Sequence, residues 1–217
     1  AIRIPSKRGS AAAARRSIKA WGIWAPGTTR LIKLAFLADF DVVTQLPNRQ
    51  YFYQRVEQAI SQASQLSGRC AILLMDLDNF KNINNSRTHA VGDQLLLETA
   101  NRLQSLVAAT DIVCRFGGDE FAIIVARCNI QLLKNIAERI IESFACDKLL
   151  VRVRQNHGLT VSCSIGAAMH PLHGHSIQQL LEISDEQMYQ AKKAGKNCYR
   201  IAGVAGESVI RDAAVKV

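Results

Sequence analysis

Two acidic stretches carry the chemistry this chain could perform. Asp76-Leu77-Asp78 closes an apolar run, and Gly117-Gly118-Asp119-Glu120 places an acidic pair directly after two glycines, with Asp119 43 positions beyond Asp76. Magnesium prefers oxygen ligands in octahedral geometry and commonly takes one or two carboxylates together with substrate phosphates. Asp76, at a strand end, and Asp119, in a turn, could supply those carboxylates if strand and hairpin are neighbours. Two such ions would polarise an attacking hydroxyl and steady a leaving oxygen. Gly117 and Gly118 let the main chain bend and approach a ligand closely. The plainer alternative is that Gly-Gly makes a good hairpin turn whose acids are merely solvated. Asp78 reads as an N-cap for the following turn in preference to a ligand.

These acids need a frame, and apolar spacing supplies one. Pro47 sits where a first helical turn tolerates proline, and Phe52, Val56, Ala59, Ile60 and Ala63 follow at helical spacing. Residues 69–75 form an apolar run of strand length ending at Asp76. A helix is expected over 91–108, then strands over 111–116 and 121–126 joined as a hairpin, and a helix over 130–145. Strands over 148–155 and 159–167, a helix over 177–194 and a short strand over 198–201 complete the order. Such an order predicts the α+β class, an antiparallel-rich central sheet flanked by helices. The organisation expected is a basic flexible leader over 1–30, a leading helix over 31–40, a domain over 41–201 and a tail over 202–217.

The net charge of +9 suggests a nucleic-acid footprint until it is divided. Residues 1–38 hold eight Lys/Arg and no acid, which leaves 19 basic against 18 acidic residues, or +1, for the remainder. A basic groove needs clustered charge on a folded surface, so no nucleic-acid partner is expected. For the leader, a transit-like peptide or a peripheral membrane contact through its basic residues stand as alternatives to plain flexibility. Six cysteines, Cys70, Cys114, Cys128, Cys146, Cys163 and Cys198, form no C-x-x-C pair and read as reduced core residues. A cytoplasmic location follows, with the cytosolic part of a membrane-associated protein as the variant. No apolar stretch approaches the ~18 residues of a membrane span. His170, His173 and His175 lie in one loop without a cysteine or acid at ligand spacing, and read as solvated.

Five ordered motifs over some 160 residues resemble the GGDEF family of diguanylate cyclases. Residues 41–49 are similar to its D-x-L-T-G-L-x-N-R opening, Asp76 to Lys81 to its D-x-D-x-F-K strand end, and Gly117 to Phe121 to its signature. Asn84 and Asp93 match its N-(x)8-D pair, and Asp185 to Asn197 its D-x-A-L-Y-x-A-K-x-x-G-R-N helix. The resemblance implies a palm-like nucleotide-cyclase fold and condensation of two GTP into cyclic di-GMP across a homodimer. It implies that Asp76, Asp119 and the Leu77 carbonyl bind Mg2+ or Mn2+, and that Asp119 and Glu120 are catalytic. It places Asn84 and Asp93 on the guanine, where an Asp can accept from N1–H and the 2-amino group together. Lys192, Lys196 and the main chain at Asn79 and Phe80 are implied to bind the substrate phosphates, with Gly117 and Gly118 also substrate-binding. Plainer readings are a loop Asn84, an Asp93 at a helix start, and lysines suiting a helix C-terminus.

Several positions depart from the family pattern. Lys196 replaces the usual arginine, turning a bidentate fork into a point charge. Gln45 stands for glycine, Val43 for leucine, and Thr88 for the glycine before His89. Where many relatives carry an inhibitory R-x-x-D, this chain has Ala108-Ala109-Thr110-Asp111, so no strong product inhibition is expected there. An upstream sensor acting through the leading helix is a further implied partner. A regulatory module that binds GTP without turnover is the alternative function.

Overall fold

The computed structural model describes residues 38–86, 89–145 and 161–203. The expected strand over 148–155, the leader, most of the leading helix and residues 204–217 of the tail lie outside them. The described elements are α1 (Arg49–Gln65), β1 (Cys70–Leu77), α2 (Phe80–Ser86), α3 (His89–Leu106), β2 (Ile112–Gly117), β3 (Glu120–Val125), α4 (Ile130–Ala145), β4 (Cys163–His170), α5 (Ile177–Lys193) and β5 (Tyr199–Ile201). The strands form one sheet in the order β2-β3-β1-β4-β5. Every pairing is antiparallel except β4 with β5, which is parallel. The α+β class holds, with a mixed five-stranded sheet.

Side chains alternate across a strand, and each face of this sheet is buried by different helices. Leu73, Met75, Phe121, Ile123, Ile165 and Ala167 point towards Leu95, Leu103, Leu133 and Ile140 of α3 and α4. Ile72, Leu74, Ala122, Ile124 and Ala168 point the other way, onto Phe52 and Val56 of α1 and Leu180 and Met188 of α5. With both faces covered, β1 has six consecutive fully buried residues before Asp76, which is why its sequence is a continuous apolar run. Asp76 and Glu120 fall on the α1/α5 side by this alternation.

Local details revise several expectations. Pro47 is outside the first helical turn: it forms an isolated bridge with Phe40, and Asn48 caps α1 by accepting from the Tyr51 N–H. Phe40 is therefore bridged, not helical. The short helix α2 was missing from the sequence reading, since seven residues give too little periodicity to register. The β4 strand runs later than the expected 159–167 because its partner β1 extends to Cys70, which pairs with His170. His170 is accordingly the last strand residue, 4% exposed, and not a solvated loop histidine. Its ring nitrogens face Ser64 Oγ at 3.1 Å and the Gly174 carbonyl at 3.2 Å. Cys70, Cys114, Cys163 and Cys198 are buried free thiols and Cys128 is half-buried. Burial pushes the Cys70 thiol up to about 11, in keeping with inert core residues. No helix among the described residues is long and apolar enough to cross a membrane.

Candidate active site

The acids meet at one end of β1 and β3. In the antiparallel register Asp76 lies directly opposite Glu120, and the Leu77 N–H donates to the Asp119 carbonyl at 3.3 Å. The hairpin that delivers Asp119 has Gly117 paired with Glu120, and Gly118 sits at φ +44, backbone that favours glycine. A bulge at Phe116 precedes the turn. Phe116 is fixed there by edge-on contact with Phe52 at 5.2 Å and by the Arg49 guanidinium 4.7 Å from its ring centre. Bulges re-aim neighbouring side chains, and this one sets the turn against the strand end.

Electrostatics mark the cluster as short of positive charge. Burial, offset by the hydrogen bond and charge of Lys192 and reinforced by the charges of Asp119 and Asp78, leaves the Asp76 carboxyl above its ordinary value. Burial, then the Asp76 charge, likewise raises Glu120, with Lys192 opposing and Asp119 and Asp185 adding to the shift. Lys192 is the neutralising partner, its Nζ 2.9 Å from Asp76 Oδ2. It reaches there because α5 lies hard against β4 at Gly166: a Cβ on that residue would sit 2.0 Å from the Ser184 carbonyl and 2.1 Å from the Met188 nitrogen.

Beside the acids is a second layer that the sequence reading did not find. The Arg115 guanidinium donates to the Gly118 carbonyl at 2.8 Å and 3.2 Å and to Asp41 Oδ1 at 2.9 Å. Asp41 Oδ1 also accepts from the Thr44 N–H at 2.8 Å and hydroxyl at 2.7 Å. Burial pushes the Asp41 carboxyl up, but the Thr44 and Arg115 bonds outweigh it and hold the group below the ordinary range. The signature turn is thereby tied to residues 41–46. Spacing alone could have flagged the local Asp41–Thr44 pair, whereas the bridge to Arg115, 74 positions away, has no sequence signal.

The other expected site residues divide into two groups. Asn79 and Phe80 follow the end of β1 in the chain: Phe80 is buried in the α3/α4-side core, and Lys196 Nζ donates to Asn79 Oδ1 at 2.7 Å. Asn84 lies within α2, not in a loop, and Asp93 is exposed in the second turn of α3, beyond a helix start. Asp78 is not an N-cap. Its carboxylate turns inward to Ser162, Ser164 and the Asn197 N–H, leaving the Asn79 carbonyl to accept the first helical bonds of α2.

Among the described residues no three Asp, Glu, His or Cys side chains converge as a ready-made metal centre. What the strand end offers is two carboxylates, a main-chain carbonyl and unbalanced negative charge, which suits a hard cation that completes its shell with phosphates and water.

One end of the central strands β1 and β3 thus brings together paired acids, a glycine turn and a lysine within a mixed α+β sheet. The chain belongs to the diguanylate cyclase GGDEF domain family, whose model matches residues 38–198. It is 35% identical over 170 residues to the diguanylate cyclase DgcS of Shewanella oneidensis, covering 78% of this chain and 55% of the relative. Identity is 37% over 186 residues to MucR of Pseudomonas aeruginosa, a bifunctional diguanylate cyclase/cyclic di-GMP phosphodiesterase, covering 86% of this chain and 26% of that protein. The chain thus spans between a quarter and just over half the length of these relatives. A solved structure of the GGDEF domain of TpbB from Pseudomonas aeruginosa superposes with a TM-score of 0.69 at 34% identity, covering 75% of this chain and 94% of that one.

Proposed function

We propose that residues 41–201 condense two molecules of GTP into cyclic di-GMP, with one nucleotide held by each of two facing copies. The observation carrying this reading is the register pairing of Asp76 with Glu120, next to Asp119 and within reach of Lys192. Each 3′-oxygen bonds to the α-phosphorus of the opposite nucleotide. The bond from that phosphorus to the bridging oxygen breaks, pyrophosphate leaves, and the hydroxyl loses its proton. Magnesium or manganese held by Asp76, Asp119 and the Leu77 carbonyl would supply charge neutralisation and an acidified hydroxyl.

The chain's own residues do the rest. Lys192 neutralises Asp76 in the nucleotide-free protein and is placed to follow phosphate charge. Lys196 and the Asn79 and Phe80 N–H groups hold the triphosphate. Asn84 and Asp93 read guanine, a role that rests on the family motif. Glu120, whose carboxyl is held above its ordinary value by burial and the Asp76 charge, is a better proton acceptor than a solvated glutamate.

Incubation with GTP and magnesium at several protein concentrations, with mass detection of products and an Asp119→Ala control, tests the reading. The rate is expected to rise more steeply than linearly with protein, since one copy holds half of the reaction. Equal behaviour of wild type and control would sink it.

A further inference from the structure

Asp78 is the acid the proposed reaction does not use, and its surroundings give it a different task. It is 2% exposed, and both oxygens are already taken. Oδ1 accepts from Ser164 Oγ at 2.7 Å, while Oδ2 accepts from Ser162 Oγ at 2.6 Å and from the Asn197 N–H at 3.1 Å. Its own N–H donates to the Ser162 carbonyl at 2.9 Å. Bonds to an ionised acceptor are roughly twice as strong as neutral ones, and three such donors converge here from β4, from the chain just before it and from the turn after α5.

That turn is the informative partner. Gly195, Lys196 and Asn197 have φ of 114°, 66° and 48° in succession. Left-handed backbone is free for the glycine and disfavoured at lysine, with asparagine tolerating it better than other residues that carry a Cβ. The Gly195 and Lys196 N–H groups donate back to the Lys192 and Ala191 carbonyls of α5 at 3.4 Å and 3.2 Å, and the Asn197 N–H turns away from the helix to the Asp78 carboxylate. One residue along on each strand of the chain, Lys196 Nζ reaches Asn79 Oδ1 at 2.7 Å. Two adjacent links therefore join the same two segments, the buried one made by Asp78 and the outer one by Lys196.

We propose that Asp78 is a positioning residue, an internal anion that anchors the chain leaving α5 at left-handed Asn197 and so delivers Lys196 to the segment after β1. This rests on the GTP reading above. A carboxylate is required because three donors meet it; an amide offers one oxygen and turns its NH2 against another donor.

The test uses the full chain in magnesium buffer, with GTP and GMP binding measured by titration calorimetry and folding followed by circular dichroism. GMP carries the base and sugar but lacks the β- and γ-phosphates. Asp78→Asn and Lys196→Met are each expected to weaken GTP about ten-fold, the loss expected of one charge-assisted contact, with GMP changed less than about two-fold. The double variant is expected to be no weaker than the weaker single one, because contacts acting as a unit are not additive. Asn197→Gly, which adopts the turn without an anion, is expected to restore GTP affinity to Asp78→Asn. Additive losses, equal weakening of GMP, or no rescue by glycine would overturn the proposal. Should Asp78→Asn not fold, Asp78→Ser supplies one neutral acceptor on a smaller side chain; unchanged GTP affinity there overturns the proposal, and selective loss of GTP supports it. A wild type that binds GTP no better than GMP would instead sink the nucleotide reading itself.

Discussion

Substituting Gly166 by alanine tests whether helix position governs the acid site. The added Cβ would lie 2.0 Å from the Ser184 carbonyl, 2.1 Å from the Met188 nitrogen and 2.8 Å from the Met188 Cα, all main chain. Ordinary contact begins near 3.4 Å, so α5 has to retreat from β4 by more than about 1 Å. Overpacking of this kind costs about 1–3 kcal/mol, which lowers the melting temperature by roughly 2–4 °C per kcal/mol in a domain of this size. The same retreat carries Lys192 away from Asp76, now 2.9 Å distant. A misplacement of about 1 Å can remove ~100-fold in rate. Cyclic di-GMP formation in Gly166→Ala is expected to fall to that extent, with a lower melting temperature. Gly68→Ala is the control, since its Cβ would meet nothing closer than the Ala63 carbonyl at 3.7 Å. A Gly166→Ala protein that melts with wild type and keeps activity within about three-fold would refute the claim that this close approach sets the site.

Gln45 occupies φ +57 where the family has glycine, so Gln45→Gly is expected to raise the melting temperature by about 2 °C, relief of left-handed strain outweighing the added chain entropy; calorimetry checks it. Asp76 and Glu120 are both raised in the fold. The unfolded chain therefore ionises first as pH climbs above 3.8 and 4.5, and their contribution makes the metal-free protein less stable from those values upward through the raised ones. Glu120→Gln is expected to flatten that slope and raise the metal-free melting temperature at pH 7 while lowering turnover; a steeper slope would contradict the assignment. Asp111 already accepts from the Ala108 and Ala126 N–H groups and lacks the arginine partner of an R-x-x-D site. Product added at the substrate concentration is expected to leave the initial rate unchanged, and tight noncompetitive inhibition would be the contrary result.

What was legible in the sequence is what one stretch of chain decides by itself. The unbroken apolar run before Asp76 announced a strand buried on both faces, and the two glycines before Asp119 announced the hairpin that ends at φ +44. The helix over 130–145 agrees at both ends because its apolar period is strong and long. Where local signals are weak the reading slipped: seven residues of α2 hold too few turns, and Pro47 looked helical because proline suits both N1 and the residue before a cap. The misreading of Asp78 has a deeper cause. An Asp that follows a strand and opens a turn reads as an N-cap on local grounds, and only the arrival of Ser162, Ser164 and Asn197, 84 to 119 positions later, gives its carboxylate better donors. The same holds for Arg115, whose partner Asp41 lies 74 positions away. A side chain that works locally can be read from its neighbours, whereas one that clamps distant segments is indistinguishable from a solvated charge until the sheet order is known. In this site the groups proposed to do chemistry are of the first kind, and the groups that aim them are of the second. A motif search therefore finds the acids and passes over their supports, which is why substitutions at Gly166 and Asp78 test the geometry more sharply than further loss of the acids themselves.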